Sequence, residues 1–408
     1  MTTEVAIVGG GPAGAALAIL LGRAGREVVL FERAPAYRWR AGGVFTSPAT
    51  MTALRRLGLA DELLAAIARP VPAMRVETPG GVSFRLTYGD DGSLKAPAVG
   101  LDRAILDPAL LSLAVATGVD LRRGRTVTGI KPPERSGDPF EIRTSRPAGG
   151  DELHQARILV GADGIRSQVA RSMGVARPAR FVSRIALTYH VADPAPQVPR
   201  DARMRIIRDG YIGVAPVPRG RVNVGIVLGS SWRAALRTEG AEALATRLVR
   251  GIPATMEDSA DWRYAERQDS LEGASPVGHR VTKRAGPGWF LVGDAAGFLD
   301  PFTGEGIHRG LVSAELAARA IGGRLGDRRG PAEAAQAYDQ AMRAHFRAKD
   351  LVSLLVQAFL GRPALLEYAA RRLARRSGSR ETMGLVMGDL VRAERALDPR
   401  FLAALLAP

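Results

Sequence analysis

The fold is decided by VAIVGGGPAGAALAILLGRAGREVVLFER, Val5 to Arg33. An apolar run, Val5-Ala6-Ile7-Val8, enters three glycines. A helical pattern, AALAILLGRAG, follows, and a second apolar run from Val28 to Phe31 ends at Glu32. Strand, glycine turn, helix and strand make one βαβ unit, which argues for a parallel sheet. Within the turn, Gly9, Gly11 and Gly14 have the spacing G-x-G-x-x-G. Gly9 makes the tight turn, Gly11 lets a pyrophosphate approach the backbone, and Gly14 lets the helix pack closely on the strand. The helix start adds N–H groups and partial positive charge for the phosphates. Glu32 stands where its carboxylate accepts both hydroxyls of an adenosine ribose, and an acid there disfavours a 2′-phosphate.

Outward from this unit, the chain is 408 residues long, beyond the roughly 250–300 at which one core stops growing, so more than one domain is expected. Its formal charge of +16 is carried almost wholly by arginine, lysine occurring only at Lys95, Lys131, Lys283 and Lys349. The arginines are spread along the chain apart from a cluster near Arg371 to Arg380. That distribution reads as solvated surface and anionic small ligands rather than a nucleic-acid footprint. The absence of cysteine excludes disulfides, thiolate metal sites and cysteine nucleophiles. The chain begins with a strand rather than a signal peptide, and its longest dense apolar stretch, Leu351 to Leu360, falls short of the ~20 residues that span a bilayer. A cytoplasmic protein is the expectation.

Helical patterning returns at Ser47 to Ala68 and at Asp102 to Thr117. Between them AMRVETPGGVSFRLTY (73–88) reads as a hairpin around Pro79-Gly80-Gly81. After ARILVGAD (156–163) the pattern becomes alternating, at 181–192, 203–208 and 211–229, with a turn at Pro218-Arg219-Gly220-Arg221. The strand WFLVGD then re-enters the first layer, and the chain reads as helical from Pro331. These changes predict an α/β protein: a discontinuous nucleotide domain (1–70, 96–176 and 285–330), an inserted antiparallel β-sheet substrate domain (71–95 and 177–284) and a C-terminal helical region (331–408).

The second informative stretch is GDAAGFLDPFTGEG, Gly293 to Gly306. Asp294 at the end of a strand is placed to accept a hydrogen bond from a sugar-alcohol hydroxyl. Beyond Pro301, the run Thr303-Gly304-Glu305-Gly306 offers bare backbone at a helix start, which stabilises negative charge on a nearby ring.

The glycine motif with Glu32, GADGIRSQVAR (161–171) and GDAAGFLDPFTGEGIHRGL (293–311) together resemble the FAD-dependent superfamily of aromatic hydroxylases, geranylgeranyl reductases and flavin-dependent halogenases, over roughly Val5 to Leu325. The resemblance implies a Rossmann-like FAD-binding domain. It places Gly9, Gly11, Pro12, Ala13 and Gly14 at the pyrophosphate and Glu32 with Arg33 at the adenosine ribose. Gly293 and Asp294 would lie at the ribityl chain, and Pro301, Gly304, Glu305, Gly306 and Ile307 beside the isoalloxazine. Arg40, Ala41, Gly42 and Gly43 occupy the family's loop along the flavin, Arg103 the place of an arginine contacting the flavin chain, and Asp163-Gly164 an element near both the FAD pyrophosphate and NAD(P)H. Arg103 has a second reading, an ordinary i,i+4 pair with Asp107. No second G-x-G-x-x-G occurs, so NAD(P)H is expected as a transient reductant.

The reaction is less legible. Gly304-Glu305-Gly306-Ile307 and GYIGVAPVPRGRVNVGIV (210–227) resemble the reductases, whereas Ala41 stands where they carry cysteine, and Gly213 and Ala215 replace their aromatic pattern. The sequence therefore leans narrowly toward an NAD(P)H-dependent monooxygenase acting on an apolar small molecule. Reduction of an isoprenoid or polyketide double bond is the alternative. Halogenation and a non-catalytic flavin redox protein rank behind. His308 reads either as a proton donor beside the flavin or as a helix residue turned into the domain. Tyr189, His190 and Tyr211 lie on strands as candidate substrate-cavity residues or as sheet packing. PALLEYAARRLARR (363–376) carries leucines opposite arginines, a pattern suiting either a packed helix or peripheral contact with an anionic membrane.

Overall fold

The computed structural model describes residues 2–40, 42–88, 97–135, 137–147, 149–178, 184–254, 261–325 and 330–406; Ala41 and the ends of the 71–95 and 181–192 stretches lie outside them. β1 (Thr2–Val8), α1 (Pro12–Arg23) and β2 (Val28–Glu32) form the expected βαβ unit. β1 pairs in parallel with β2 on one side and with Asp151–Gly161 on the other. That strand pairs in parallel with Trp289–Leu291. The sheet order places both sequence motifs at the same end: β1 leads into the first glycine turn, while Gly161 and Leu291 lead into the other two loops. Ligands of open α/β sheets bind at this carboxyl edge. The strands are buried on both faces, as parallel strands under helices must be, with Val5, Ala6, Ile7, Leu30 and Leu159 fully inaccessible.

The sequence misses the flank of this sheet. Asp120–Arg123 pairs with β2, while Phe140–Ser145 and Thr126–Lys131 continue from Asp151–Gly161 as an antiparallel extension. Their mixed charged composition hides the strand period. The single helical stretch expected over Ser47–Ala68 is two helices, Pro48–Arg56 and Asp61–Ile67, because the chain turns at Gly58 with φ +87°. A small sheet of Phe45–Thr46, Ala98–Leu101 and Ala68–Val71 ties this region together.

The second large sheet has seven strands, in the order Glu272–Val277, Arg184–Ala192, Arg221–Leu228, Gly210–Val217, Ala202–Ile207, Ala73–Glu77 and Ser83–Thr87. The last two are the predicted hairpin, and Arg219 and Gly220 (φ +62° and +61°) make the predicted turn between its two central strands. Alternation gives each strand two faces. On one face Leu187, Val224, Ile226 and Ile212 pack with Leu244 and Trp262. On the other, Met74, Val76, Met204 and Ile206 pack with the C-terminal helices Pro331–Leu360, Pro363–Arg375, Ser377–Met387 and Pro399–Leu406.

No single helix among the described residues is long and apolar enough to cross a membrane; Pro331–Leu360 and Pro363–Arg375 have that length and composition only together, across a 116° bend. Leu366 and Leu373 of the latter turn into the protein, leaving Arg371 and Arg375 as its exposed face.

Candidate functional site

The nucleotide end is made of backbone. A Cβ on Gly9 would lie 2.4 Å from the Ala162 carbonyl oxygen, and one on Gly14 would lie 2.0 Å from that of Gly9. Both positions are closed to any side chain. Gly11 differs: nothing lies within 4 Å of its absent side chain, so the space there is open for a ligand to approach the α1 terminus. Glu32 accepts from the Gly10 N–H at 2.9 Å and the Ala34 N–H at 2.8 Å, and Arg40 stands 3.5 Å away. A carboxylate has about four acceptor sites, so two remain for ribose hydroxyls. Arg33 is exposed beside it. Asp163 accepts from the N–H groups of Gln168 and Val169 through Oδ2, while its Oδ1 is buried without a partner; Gly164, at φ +77°, leaves open space next to it. An orphaned acceptor beside an open glycine turn fits a bound dinucleotide.

The loop at 293–306 is pinned against this end by small residues. A Cβ on Gly293 would meet that of Ala13 at 2.8 Å, and the Gly293 N–H donates to Ser313 Oγ at 2.8 Å. The helix Gly306–Leu325 therefore starts against the first turn of α1. Burial pushes the Asp294 carboxyl up to about 6, against the opposing pull of Arg103 and Arg309. Among the described residues no donor hydrogen-bonds it. Arg103 makes the i,i+4 pair and also reaches the neighbouring loop. Its Nε and Nη2 grip Asp107 at 2.6 and 2.7 Å, while Nη1 donates to the Gly43 carbonyl at 3.1 Å. The loop of Arg40, Gly42 and Gly43 thus runs from Glu32 to Arg103, along the gap between the two motifs. Gly304 takes φ +67°, and a Cβ there would strike Phe45 at 2.6 Å, so Pro301 to Ile307 packs against the small sheet.

Two side-chain networks that the sequence does not reveal fix the same loop from behind. Asp300 receives the Tyr211 hydroxyl at 2.6 Å and the Arg184 guanidinium, which also donates to Gln357 at 2.7 Å. Burial, and then Asp300, raise the Tyr211 hydroxyl well above its ordinary value. Tyr211 also meets the Phe302 ring edge-on at 5.0 Å. It therefore shares the face of the apolar cluster, as a positioned anchor. Tyr189 does not. The strand's alternation turns it to the opposite core, under the Arg267 guanidinium. That removes Tyr189 from the candidate substrate residues. His190, on the Tyr211 side of the sheet, pairs with Asp269 at 2.6 Å beneath Trp39.

The second network gives His308 a neighbour that the sequence around it does not show. Its Nδ1 lies 3.1 Å from Asp389, 81 positions along the chain. Lys349, buried, donates to Asp389 at 2.7 Å and to the Val386 carbonyl at 2.6 Å, and stands 3.5 Å from Glu305. Burial alone would raise the Asp389 carboxyl, but the close approach of His308 and the Lys349 charge hold it well below the usual carboxylate range. Glu305 in turn accepts from Thr303 at 2.9 Å.

Next to this loop opens an apolar cavity. Phe45, Phe302 and Thr303 line it from the small sheet and the loop, Met204, Met74 and Leu86 from the large sheet, and side chains from five C-terminal segments complete the lining. It encloses about 990 Å³ of atom-free space, its mouth included, of which about 120 Å³ is wide enough for the centre of a water molecule; the space is narrow. Of the lining side chains only Thr303 and Tyr88 carry a polar atom among the described residues.

A parallel sheet with a pyrophosphate turn, a second loop at the same edge and an apolar cavity beside it define a dinucleotide-cofactor oxidoreductase. The chain belongs to the FAD binding domain family, whose sequence model matches residues 2–350. Among similar proteins are a menaquinone reductase of Mycolicibacterium smegmatis, 28% identical over 403 residues and covering 96% of this chain and 93% of its own, and digeranylgeranylglycerophospholipid reductase 2 of Methanothermobacter thermautotrophicus, 28% identical over 343 residues, covering 79% of each. Among solved structures, a flavoprotein/dehydrogenase from Cytophaga hutchinsonii superposes with a TM-score of 0.83 at 19% identity, over 97% of this chain and 95% of that one. The protein is an FAD-dependent oxidoreductase.

Proposed function

We propose that the protein reduces a carbon–carbon double bond in the isoprenoid chain of a lipid, with NAD(P)H as the transient electron source. The observation that carries this reading is the cavity: narrow, almost wholly hydrocarbon and thioether, and lined in part by Phe302 and Thr303 of the 293–306 loop. A hydroxylase of small aromatic molecules calls for a compact pocket with a polar anchor, whereas a slender apolar chain needs the surface present here. The two reductases above support the reading, both being named for lipids that carry isoprenoid chains. The sequence's lean toward oxygenation rested on Ala41, which lies outside the described residues, and on the GADG element, which suits transient nicotinamide binding in either reaction.

Bound FAD supplies the two-electron redox chemistry. Gly11 and the α1 terminus would hold its pyrophosphate, Glu32 its ribose and Asp294 its ribityl hydroxyls, with Gly304 to Gly306 beside the ring. The unpartnered oxygen of Asp163 supports a role in holding the pyrophosphate or the visiting nicotinamide nucleotide. The packed C-terminal helices would keep water from the reacting carbon atoms.

The test is anaerobic. Protein reduced with dithionite and mixed under nitrogen with a geranylgeranyl lipid should regain oxidised-flavin absorbance as the lipid is saturated. Reduced protein that persists under nitrogen, and turns the lipid over only when oxygen is admitted, would replace reduction by oxygenation.

A further inference from the structure

Saturating a double bond removes one π bond and forms two C–H bonds. One uses a hydride, which carries both electrons from the reduced cofactor and ultimately from the nicotinamide reductant. The other needs a proton at the neighbouring carbon, within a cavity that has almost no polar groups. Only two of the residues that line that cavity carry a hydroxyl among the described residues, Tyr88 and Thr303. Tyr88, whose hydroxyl burial raises far above the ordinary value, has no hydrogen-bonded carboxyl group among the described residues to return a proton to it. Tyr211, nearby, already gives its proton to Asp300. Thr303 likewise donates to a carboxylate, Glu305 at 2.9 Å, but it lines the cavity, as Tyr211 does not, and its carboxylate has further polar neighbours leading away from the cavity.

Glu305 is also connected away from the cavity. Ser353 stands 3.4 Å from the same oxygen, and Lys349 stands 3.5 Å from the other. Lys349 is nearer to Asp389, at 2.7 Å, and Asp389 neutralises its charge by a direct hydrogen bond. His308, the far member, approaches Asp389 at 3.1 Å. The chain of groups runs from the cavity to a partly exposed histidine without a break longer than 3.5 Å.

Resting on the reductase reading, we propose that Glu305, acting through the Thr303 hydroxyl, supplies the second hydrogen of the reduction as a proton. Thr303 passes its proton to carbon and takes one from the Glu305 carboxyl, so the hydroxyl is restored and Glu305 is left ionised. Lys349, Asp389 and His308 return a proton to Glu305 from solvent. Electrons and atoms balance as one hydride and one proton added across the bond.

The experiment compares two oxidants of the dithionite-reduced protein under nitrogen, with rates taken per bound flavin. A geranylgeranyl lipid needs a proton delivered to carbon; ferricyanide takes electrons alone. Thr303→Val and Glu305→Gln should each slow reoxidation by the lipid by about 100-fold, within the range of general acid catalysis. Thr303→Val should react with ferricyanide at the wild-type rate, and Thr303→Ser should restore the lipid reaction. Wild-type lipid rates in both variants would overturn the proposal, as would equal loss of both reactions in Thr303→Val or a loss confined to Tyr88→Phe. A wild-type protein inert to the lipid under nitrogen would overturn the reductase reading itself.

Discussion

The two ends of the site are built in opposite ways. The nucleotide end comes chiefly from one contiguous stretch, Val5 to Arg33, joined by Asp163, and offers a ligand backbone N–H groups, absent side chains and two carboxylates. The apolar cavity comes from segments between Phe45 and Leu405 and is shaped entirely by side chains. Cofactor recognition here depends on close approach, which glycine spacing encodes locally. The shape of the cavity depends on which surfaces the folding of the chain from Phe45 to Leu405 brings together. The first is strict about individual residues, whereas the second tolerates exchange as long as volume and polarity persist.

The strongest way to break this contrast lies inside the glycine motif. Gly14→Ala places a methyl 2.0 Å from the Gly9 carbonyl oxygen and should give insoluble or flavin-free protein. Gly11→Ala meets no protein atom within 4 Å; it should fold with an unchanged melting temperature yet lose flavin on gel filtration. Equal behaviour of the two would show that the open space at Gly11 does not belong to the cofactor.

Behind the cavity, Asp389→Asn leaves buried Lys349 with only the more distant Glu305 carboxylate and should cost about 3 kcal/mol in urea unfolding, as breaking a buried pair does. Because the Asp389 carboxyl is depressed in the folded protein, its contribution is complete above the ordinary aspartate range and is lost as pH falls below it. The acid sensitivity of the variant should be correspondingly weaker. Filling the cavity is gentler: Leu366→Trp should lower kcat/KM for a long isoprenoid lipid about tenfold, equivalent to ~1.4 kcal/mol, with flavin content unchanged. The smallest effect concerns Asp294. Burial raises it to about 6 without ligand, and a ribityl hydroxyl donating to its ionised form would lower that value. FAD binding would then release a proton, so retention should weaken as pH falls below about 6 and stay flat above it. Asp294→Asn should remove that slope in a fluorescence titration.

The sequence was readable where a local rule sufficed. Glycine spacing, an acid at a strand end and a breaker-rich loop before a helix identify the cofactor. The Pro79-Gly80-Gly81 and Pro218 to Arg221 turns identify the second sheet. Asp300, Lys349 and Asp389 stayed hidden because their significance lies in pairing with residues 89, 44 and 81 positions away. Tyr189 and Tyr211 look alike on alternating strands. Which face is which is set by register against the neighbouring strand and by what covers each face, and neither is written in the local pattern. The cavity was legible only as leucines and methionines in helical sequence, the ordinary signature of a packed core.

The central claim is that this cavity presents an isoprenoid double bond for reduction. The direct measurement is the mass of a geranylgeranyl lipid recovered after turnover with NAD(P)H, in parallel under nitrogen and under ¹⁸O₂. The account predicts a gain of two hydrogens per saturated bond in both atmospheres and no ¹⁸O in the lipid. A product formed only under oxygen and carrying ¹⁸O would contradict it.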